Sequence, residues 1–477
     1  MKKIILITLS GLIFMVFKAN AQTSIHGSVV VHPKNRYLMY EDGTPFFWLG
    51  DTGWLLFHRL NLNEVRMYLK DRAYKGFTVI QAALLTENGG ITTPNVYGEY
   101  VFKDDAYTIP NEKYFIHVDE VIDIADSLGM VIGLLPTWGD KFNKLWGTEP
   151  VLFTTAEKAE KWGQYLGNRY KDRKNIIWIL GGDRPAEGFE HIIRAMAKGI
   201  AIGITGKEDY SKMLMTYHSW GGTSSSKWFD NTEPWIDFNM WQTGHPYDVS
   251  LWDMIKSDYD RIPTKPVIDG EPLYDEHPID FKRDKLGTST GYHVRRFFYH
   301  NVFSGTFGHT YGVHAVWQFW DPEKRSPING PIRSWQESLS LESSYQMGYG
   351  KELIMSRPYF TRIPDNSFIE DVYDGHDRIT ATRDKEGTYA MIYSESGRSF
   401  KVLLNSLGSS GRGSEGLDGW WFDPRSGRVI PLVRFNRTRK GYYHEFTPPT
   451  NGKGNDWILV LDDPRCGYPA PGNNKKW

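Results

Sequence analysis

The sequence predicts an α/β protein in which a (β/α)8 TIM barrel is followed by a small antiparallel β-sandwich. Three observations support this prediction. Short apolar runs alternate with longer amphipathic stretches between Tyr37 and Met355. Eight of these runs have the length and composition of strands buried in a parallel sheet. After Arg357 the pattern changes to short strands separated by turn signals.

The eight predicted barrel strands are short and mostly apolar. The clearest is 176–180, which contains five consecutive apolar residues. An open, doubly wound sheet is the alternative, but no Gly-x-Gly-x-x-Gly sequence follows the first strand. The predicted strands are 46–50, 78–82, 131–135, 176–180, 214–218, 238–242, 266–269 and 314–318.

Helices are predicted between the first five strands, as repeated βα units require. The apolar positions of the first of them only roughly follow the helical period of 3.6 residues. The predicted helices are 62–75, 114–128, 156–170 and 189–200.

The C-terminal sandwich is predicted to span 357–465, followed by a frayed tail at 466–477. In a strand, adjacent side chains point to opposite faces. One member of each of the pairs Trp420–Trp421 and Tyr442–Tyr443 is therefore expected in the sandwich core, and the other against the barrel. The predicted strands are 379–382, 389–393, 400–404, 419–422, 429–432 and 457–461.

The N-terminus has the pattern of a secretory signal peptide. Lys2 and Lys3 precede an apolar run at 4–17, and Ala19 and Ala21 supply the small residues of a cleavage site. The run is too short to span a membrane, so no membrane anchor is expected. We predict cleavage after Ala21, which makes 1–21 the signal peptide and 22–356 the barrel with an N-terminal extension.

The composition limits the partners and cofactors that the protein can be expected to have. The net charge is −1, which argues against nucleic acids and anionic membranes as the main partners, because both bind to a basic face. The single cysteine, Cys466, excludes an intrachain disulfide and a cysteine metal cluster. Export without disulfides is consistent with a bacterial periplasm. We expect a secreted monomer with no metal and no cofactor.

Two carboxylates are the candidate catalytic groups, because reactive residues of such barrels follow the strands. Asp183 follows the fourth strand across two glycines, and Glu271 follows the seventh. Carboxylates on opposite sides of a barrel mouth suit glycoside hydrolysis, where one protonates the leaving oxygen and the other attacks the anomeric carbon or activates water. Asp183 could instead pair with Arg184 or Arg194, and Glu271 could cap a loop. Asp269 is a competitor for Glu271 that we expect deeper in the barrel.

Further residues at the strand ends are candidates for substrate binding. Trp and Tyr present flat apolar faces that suit sugar rings, and aromatic residues make up 15% of the chain. Polar side chains there could bind sugar hydroxyls, although each candidate could equally be structural, and Asp51 could simply cap the first loop. The tryptophans are Trp54, Trp138, Trp241, Trp317 and Trp320, and the polar candidates are Asp51, Gln81, His218, Gln242 and His245.

Four segments carry a family resemblance: 40–54 (YEDGTPFFWLGDTGW), 178–185 (WILGGDRP), 269–272 (DGEP) and 419–427 (GWWFDPRSG). The first three resemble the apiosidase-like bacterial proteins, which include glycoside hydrolase family 140. The fourth resembles the collagen-binding-type β domain that follows their barrel. The larger barrel clan usually has Asn-Glu after strand four, where this chain has Gly182-Asp183.

The resemblance implies a retaining mechanism, with Asp183 as acid/base and Glu271 as nucleophile. It also implies apiosidase activity on apiose-linked side chains of the plant cell-wall pectin rhamnogalacturonan II. One alternative is a glycosidase for another plant glycan. The other is a non-catalytic glycan-binding or matrix-binding protein. Such a protein would have little reason to keep both carboxylates.

Overall fold

The computed structural model describes residues 25–407, 416–436 and 443–472. The predicted signal peptide, Tyr442 and the last residues of the tail lie outside these ranges. Within them, no helix combines the length and the apolar character needed to cross a membrane.

Eight parallel strands form the barrel, numbered here barrel strands 1 to 8. Strands 8, 1, 2, 3, 4 and 5 form one continuous sheet in that order, and strands 6 and 7 pair with each other. The backbone N–H of Asp237 donates to Met215 O (2.9 Å), and that of Phe307 donates to Val267 O (3.0 Å), so these two bonds bridge the two gaps. The strands are Trp48–Thr52, Val79–Ala83, Val131–Leu135, Ile176–Gly181, Met215–His218, Asn239–Gln242, Val267–Asp269 and Gly308–Tyr311.

The predicted eighth strand, 314–318, was wrong. Barrel strand 8 is Gly308–Tyr311, and the apolar segment after it forms the short helix His314–Trp317. Gly308 packs against Trp48 so closely that an added Cβ would lie 2.2 Å from Trp48 O. Thr310 accepts a hydrogen bond from Trp48 Nε1 (3.1 Å). This strand is therefore polar in sequence although it is buried, and its apolar neighbour resembled a strand more closely.

The four predicted helices are confirmed to within a few residues. The first begins with a capping box: the Asn61 side chain accepts from the backbone N–H of Glu64, and Glu64 accepts from that of Asn61. The helix Glu190–Thr205 ends at Gly206, whose φ of +80° suits glycine. The helices are Leu56–Arg59, Leu62–Tyr74, Glu112–Ser127, Ala156–Tyr170, Glu190–Thr205, Leu251–Tyr259, Arg283–Leu286, Gly291–Phe303, His314–Trp317, Trp335–Ser338 and Glu342–Met355.

Two small β structures flank the barrel. An N-terminal antiparallel sheet contains Val29–Val31, Leu38–Tyr40 and Pro45–Phe46. The C-terminal sandwich consists of a six-stranded antiparallel sheet and a two-stranded sheet, Phe400–Val402 with His444–Phe446. The six strands are, in spatial order, Arg362–Pro364, Ile379–Asp384, Tyr389–Ser394, Trp457–Asp462, Asp418–Phe422 and Val429–Pro431.

The six-stranded sheet packs one face against the barrel and the other into the sandwich. Trp421 lies in the sandwich core, whereas Trp420 packs against the apolar cluster that continues into the barrel. The expected division of this pair is therefore confirmed. Tyr389 and Met391 also contact the barrel side, and Ile392 faces the sandwich core. The sandwich is thus fixed to the barrel by a shared apolar core.

Candidate active site

A cavity of about 1040 Å³ opens at the carboxyl ends of the barrel strands. That end of a (β/α)8 barrel is where active sites form. Eight of the residues expected to be functional line it: Trp54, Trp138, Asp183, Trp241, Gln242, His245, Glu271 and Trp317.

Asp183 reaches the cavity because two glycines precede it. Gly181 and Gly182 have φ values of +89° and +121°, and an added Cβ on Gly182 would lie 2.9 Å from the Trp138 ring. Asp183 itself has a φ of +45°, which is uncommon for a residue with a side chain and is a form of strain that clusters at functional sites. The backbone turn thus brings the carboxylate away from the strand and into the cavity.

The Asp183 carboxylate has two polar neighbours. Gln242 Nε2 donates to Asp183 Oδ1 (3.2 Å), and Arg184 Nη1 lies 3.7 Å from Asp183 Oδ2. Arg184 pairs more closely with Glu87, at 2.5 Å, and Arg194 pairs with Glu233 instead of Asp183. Asp183 is therefore not neutralised by a tight ion pair, and 29% of its side chain stays exposed to a substrate.

Glu271 is held more deeply. Its oxygens lie 3.1 Å from His218 Nε2 and 3.3 Å from His245 Nε2, and only 7% of its side chain is exposed. Its backbone is also fixed, because Gly244 N–H donates to Glu271 O (3.0 Å). Asp269 is fully buried and is bonded by the Thr243 hydroxyl (2.6 Å), which confirms that it lies deeper in the barrel.

The pKa values of the two carboxyl groups shift in opposite directions. Burial and the charge of Glu271 raise the pKa of Asp183 to about 7. Burial also acts to raise the pKa of Glu271, but His218 and His245 outweigh it and lower that pKa below its ordinary value. Near neutral pH Asp183 thus carries a proton for much of the time while Glu271 is ionised. This is the division expected between a proton donor and a nucleophile.

Four of the candidate binding residues do not line the cavity. Asp51 is fully buried, pairs with Arg72 Nε at 2.5 Å and accepts from the Tyr68 hydroxyl at 2.8 Å. Gln81 is buried and its Nε2 donates to Gly270 O (2.7 Å), directly before Glu271. Trp320 Nε1 donates to Arg325 O (3.1 Å). These three side chains bond to the protein itself and are not part of the cavity wall. His218 is not part of the cavity wall either, but it contacts Glu271.

Several cavity residues were not identified from the sequence. They lie in the longer loop segments that follow barrel strands 2, 3 and 7. Tyr274 accepts a hydrogen bond from Trp54 Nε1 (3.1 Å) and raises the aromatic content of the wall. Others in this group are Glu87, Asn88, Trp146, His277 and Phe281. Within the described ranges, no three His, Cys, Asp or Glu side chains are grouped to hold a metal ion.

Comparisons with solved structures show the class of protein to which the chain belongs. A solved structure described as a glycoside hydrolase is 32% identical, with a TM-score of 0.81 over 92% of this chain and 97% of that chain. A glycoside hydrolase family 5 structure from Bacteroides vulgatus ATCC 8482 is 30% identical, with a TM-score of 0.82 over 95% and 96%. The chain has the fold of a glycoside hydrolase.

The family follows from two further matches. Residues 32–361 match the family described as "Apiosidase-like, catalytic domain". Residues 363–462 match the one described as "Putative collagen-binding domain of a collagenase". The chain therefore belongs to the apiosidase-like family. A search of curated proteins finds no match.

Proposed function

We propose that the protein is an exported, retaining apiosidase that cleaves apiose-linked side chains of rhamnogalacturonan II in the bacterial periplasm. The main evidence is the pair Asp183 and Glu271. These two residues line one cavity, and their pKa values shift in opposite directions. Membership of the apiosidase-like family supports the choice of sugar. The basic N-terminus and the apolar run at 4–17 support export.

The chemistry divides between the two carboxyl groups in two steps. First, Asp183 donates its proton to the leaving oxygen while Glu271 attacks the anomeric carbon, which gives a covalent glycosyl-enzyme. Then Asp183, now ionised, removes a proton from water, and the water displaces Glu271. His218 and His245 keep Glu271 ionised, and Gln242 orients the Asp183 carboxyl group by its bond to Oδ1.

The direct test is incubation of the purified protein with rhamnogalacturonan II oligosaccharides, with identification of the released products and of their first-formed anomer. We expect cleavage at apiose with retained configuration. Release of a different sugar would favour another plant glycan as substrate. Binding of the oligosaccharides without any release would favour a non-catalytic glycan-binding protein.

Variants test the two roles separately. Glu271→Gln should abolish turnover without unfolding the protein. Asp183→Asn should slow substrates with poor leaving groups far more than activated aryl glycosides, because only the former need a proton donor. Equal loss on both substrate types would contradict the acid role. Glu187→Gln, an exposed position four residues after Asp183, is the matched control.

A further inference from the structure

Trp146 is a cavity residue for which the proposed chemistry has no role. Its ring lies in the wall of the cavity and is 42% exposed. It belongs to the loop that follows barrel strand 3. A flat indole in a cavity wall suits the apolar face of a sugar ring.

Arg184 packs against one face of the Trp146 indole. The guanidinium carbon lies 3.6 Å from the centre of the Trp146 ring, and Arg184 Nη2 donates to Trp146 O (2.9 Å). The Arg184 side chain has no exposed surface, so it covers the inner face of the indole. The Trp220 ring lies nearly parallel to the indole, with an interplanar angle of 24° and a distance of 6.2 Å between the ring centres. Beside these two neighbours 42% of Trp146 stays exposed, and the residue lines the cavity.

The loop itself is also anchored. Glu149 accepts from the backbone N–H of Ile91 (2.8 Å) and from the Thr92 hydroxyl (2.5 Å). Lys144 Nζ donates to Glu149 O (2.9 Å). The ring is thus positioned before any ligand arrives, which lowers the entropy cost of binding.

Arg184 also places the ring beside the proposed acid. Arg184 Nη1 donates to Asp183 O (2.7 Å) and lies 3.7 Å from Asp183 Oδ2. One guanidinium therefore touches both Trp146 and Asp183. Glu271 is held by other residues, His218 and His245. Since an acid protonates the leaving oxygen, the sugar beyond that oxygen lies next to the acid.

We propose that Trp146, supported by Arg184, forms the leaving-group subsite and stacks on the ring of the sugar that departs with the protonated oxygen. The ligand class is a sugar ring with an apolar face. The inference rests on the proposed function, because the leaving side is defined by Asp183 as the acid.

The test compares two substrates with the same apiosyl group. One is a rhamnogalacturonan II oligosaccharide, whose leaving group is a sugar, and the other is trifluoroethyl apioside, whose leaving group has no ring. The readout is the ratio of kcat/KM for the oligosaccharide to kcat/KM for the apioside. Trp146→Ala should lower this ratio roughly tenfold, which corresponds to ~1.4 kcal/mol. Trp146→Phe should restore most of it, because a ring face is retained.

Two further variants keep the test decisive. Tyr100→Ala removes an aromatic ring of similar exposure (47%) outside the cavity, and it should leave the ratio at the wild-type value. If Trp146→Ala does not fold, Trp146→Leu replaces it, since leucine fills space without a flat face. An unchanged ratio, or equal loss on both substrates, would overturn the subsite. A wild-type protein that cleaves neither substrate would overturn the proposed function, and the subsite with it.

Discussion

Glu395 connects the sandwich to the barrel through one buried carboxylate, and its replacement by glutamine should destabilise the whole chain. Glu395 directly follows the strand Tyr389–Ser394. Its oxygens accept from the Tyr292 hydroxyl (2.6 Å), Arg296 Nε (3.0 Å) and His300 Nε2 (2.9 Å), all on the barrel helix Gly291–Phe303. The side chains of Glu395, Arg296 and His300 have no exposed surface.

The size of the expected loss in stability follows from the burial of these side chains. Glu395→Gln keeps the size of the side chain but leaves the Arg296 guanidinium buried without a counter-charge. Removing one partner of a buried ion pair costs about 3–5 kcal/mol. At the lower end of the usual sensitivity, ~2 °C per kcal/mol for large domains, the melting temperature should fall by roughly 6–10 °C.

Differential scanning calorimetry of Glu395→Gln and wild type at neutral pH measures this effect. Glu370→Gln is the matched control, because Glu370 and Lys401 form an exposed ion pair on the same domain. Exposed pairs contribute about 0–1 kcal/mol, so its melting temperature should stay close to the wild-type value. If Glu395→Gln lowered the melting temperature no more than Glu370→Gln, the buried pair would not join the domains energetically. Two separate transitions in the wild type would likewise refute the argument.

Three further predictions concern pH and buried charge. The kcat/KM should fall as pH rises through about 7, because Asp183 must be protonated; Asp183→Asn should remove this limb, and a flat profile would contradict it. Asp51→Asn should lower the free energy of unfolding by less than the ~3–5 kcal/mol of an uncompensated buried charge, because Arg72 loses Asp51 but keeps Asp71 at 2.6 Å, and a urea titration measures this. Burial lowers the pKa of His300 to about 4, so folding favours the neutral ring. Stability from this group should be lost as pH falls from 6.5 towards 4, and His300→Gln should reduce the fall in melting temperature.

Most of the fold could be predicted because its strands are apolar where they are buried. Ile176–Gly181 shows this directly, and its predicted and observed positions agree. Barrel strand 8 could not be predicted in this way. Its His309 and Thr310 are buried as completely as the apolar residues, since Thr310 bonds to Trp48 and the His309 ring packs on Phe298 at 5.2 Å. Trp48 lies far away in the sequence and Phe298 lies in the preceding helix, so no pattern within the strand indicates them.

The site residues were predicted from their positions at the carboxyl ends of the barrel strands. The candidates that do not line the cavity show where this rule fails. Asp183 and Glu271 lie two residues beyond the last residue of their strands, and both reach the cavity. Asp51 and Gln81 lie inside their strands, where side chains point alternately to the barrel interior and to the helices.

Position alone did not separate these two groups, because both are polar residues near a strand end. For Asp51 the deciding partner is Arg72, which comes from the helix Leu62–Tyr74. A stricter rule, which accepts only residues beyond the strand end, would keep Asp183, Glu271 and Trp54 and would exclude Asp51. It would also exclude Trp241 and Gln242, which lie inside barrel strand 6 and yet line the cavity. That rule requires the strand end to be known within one residue. Apolar patterns give this precision for Ile176–Gly181 but not for a polar strand such as Gly308–Tyr311. Trp317 and Trp320 were both assigned from a strand end placed about seven residues too late, and only Trp317 of these two lines the cavity.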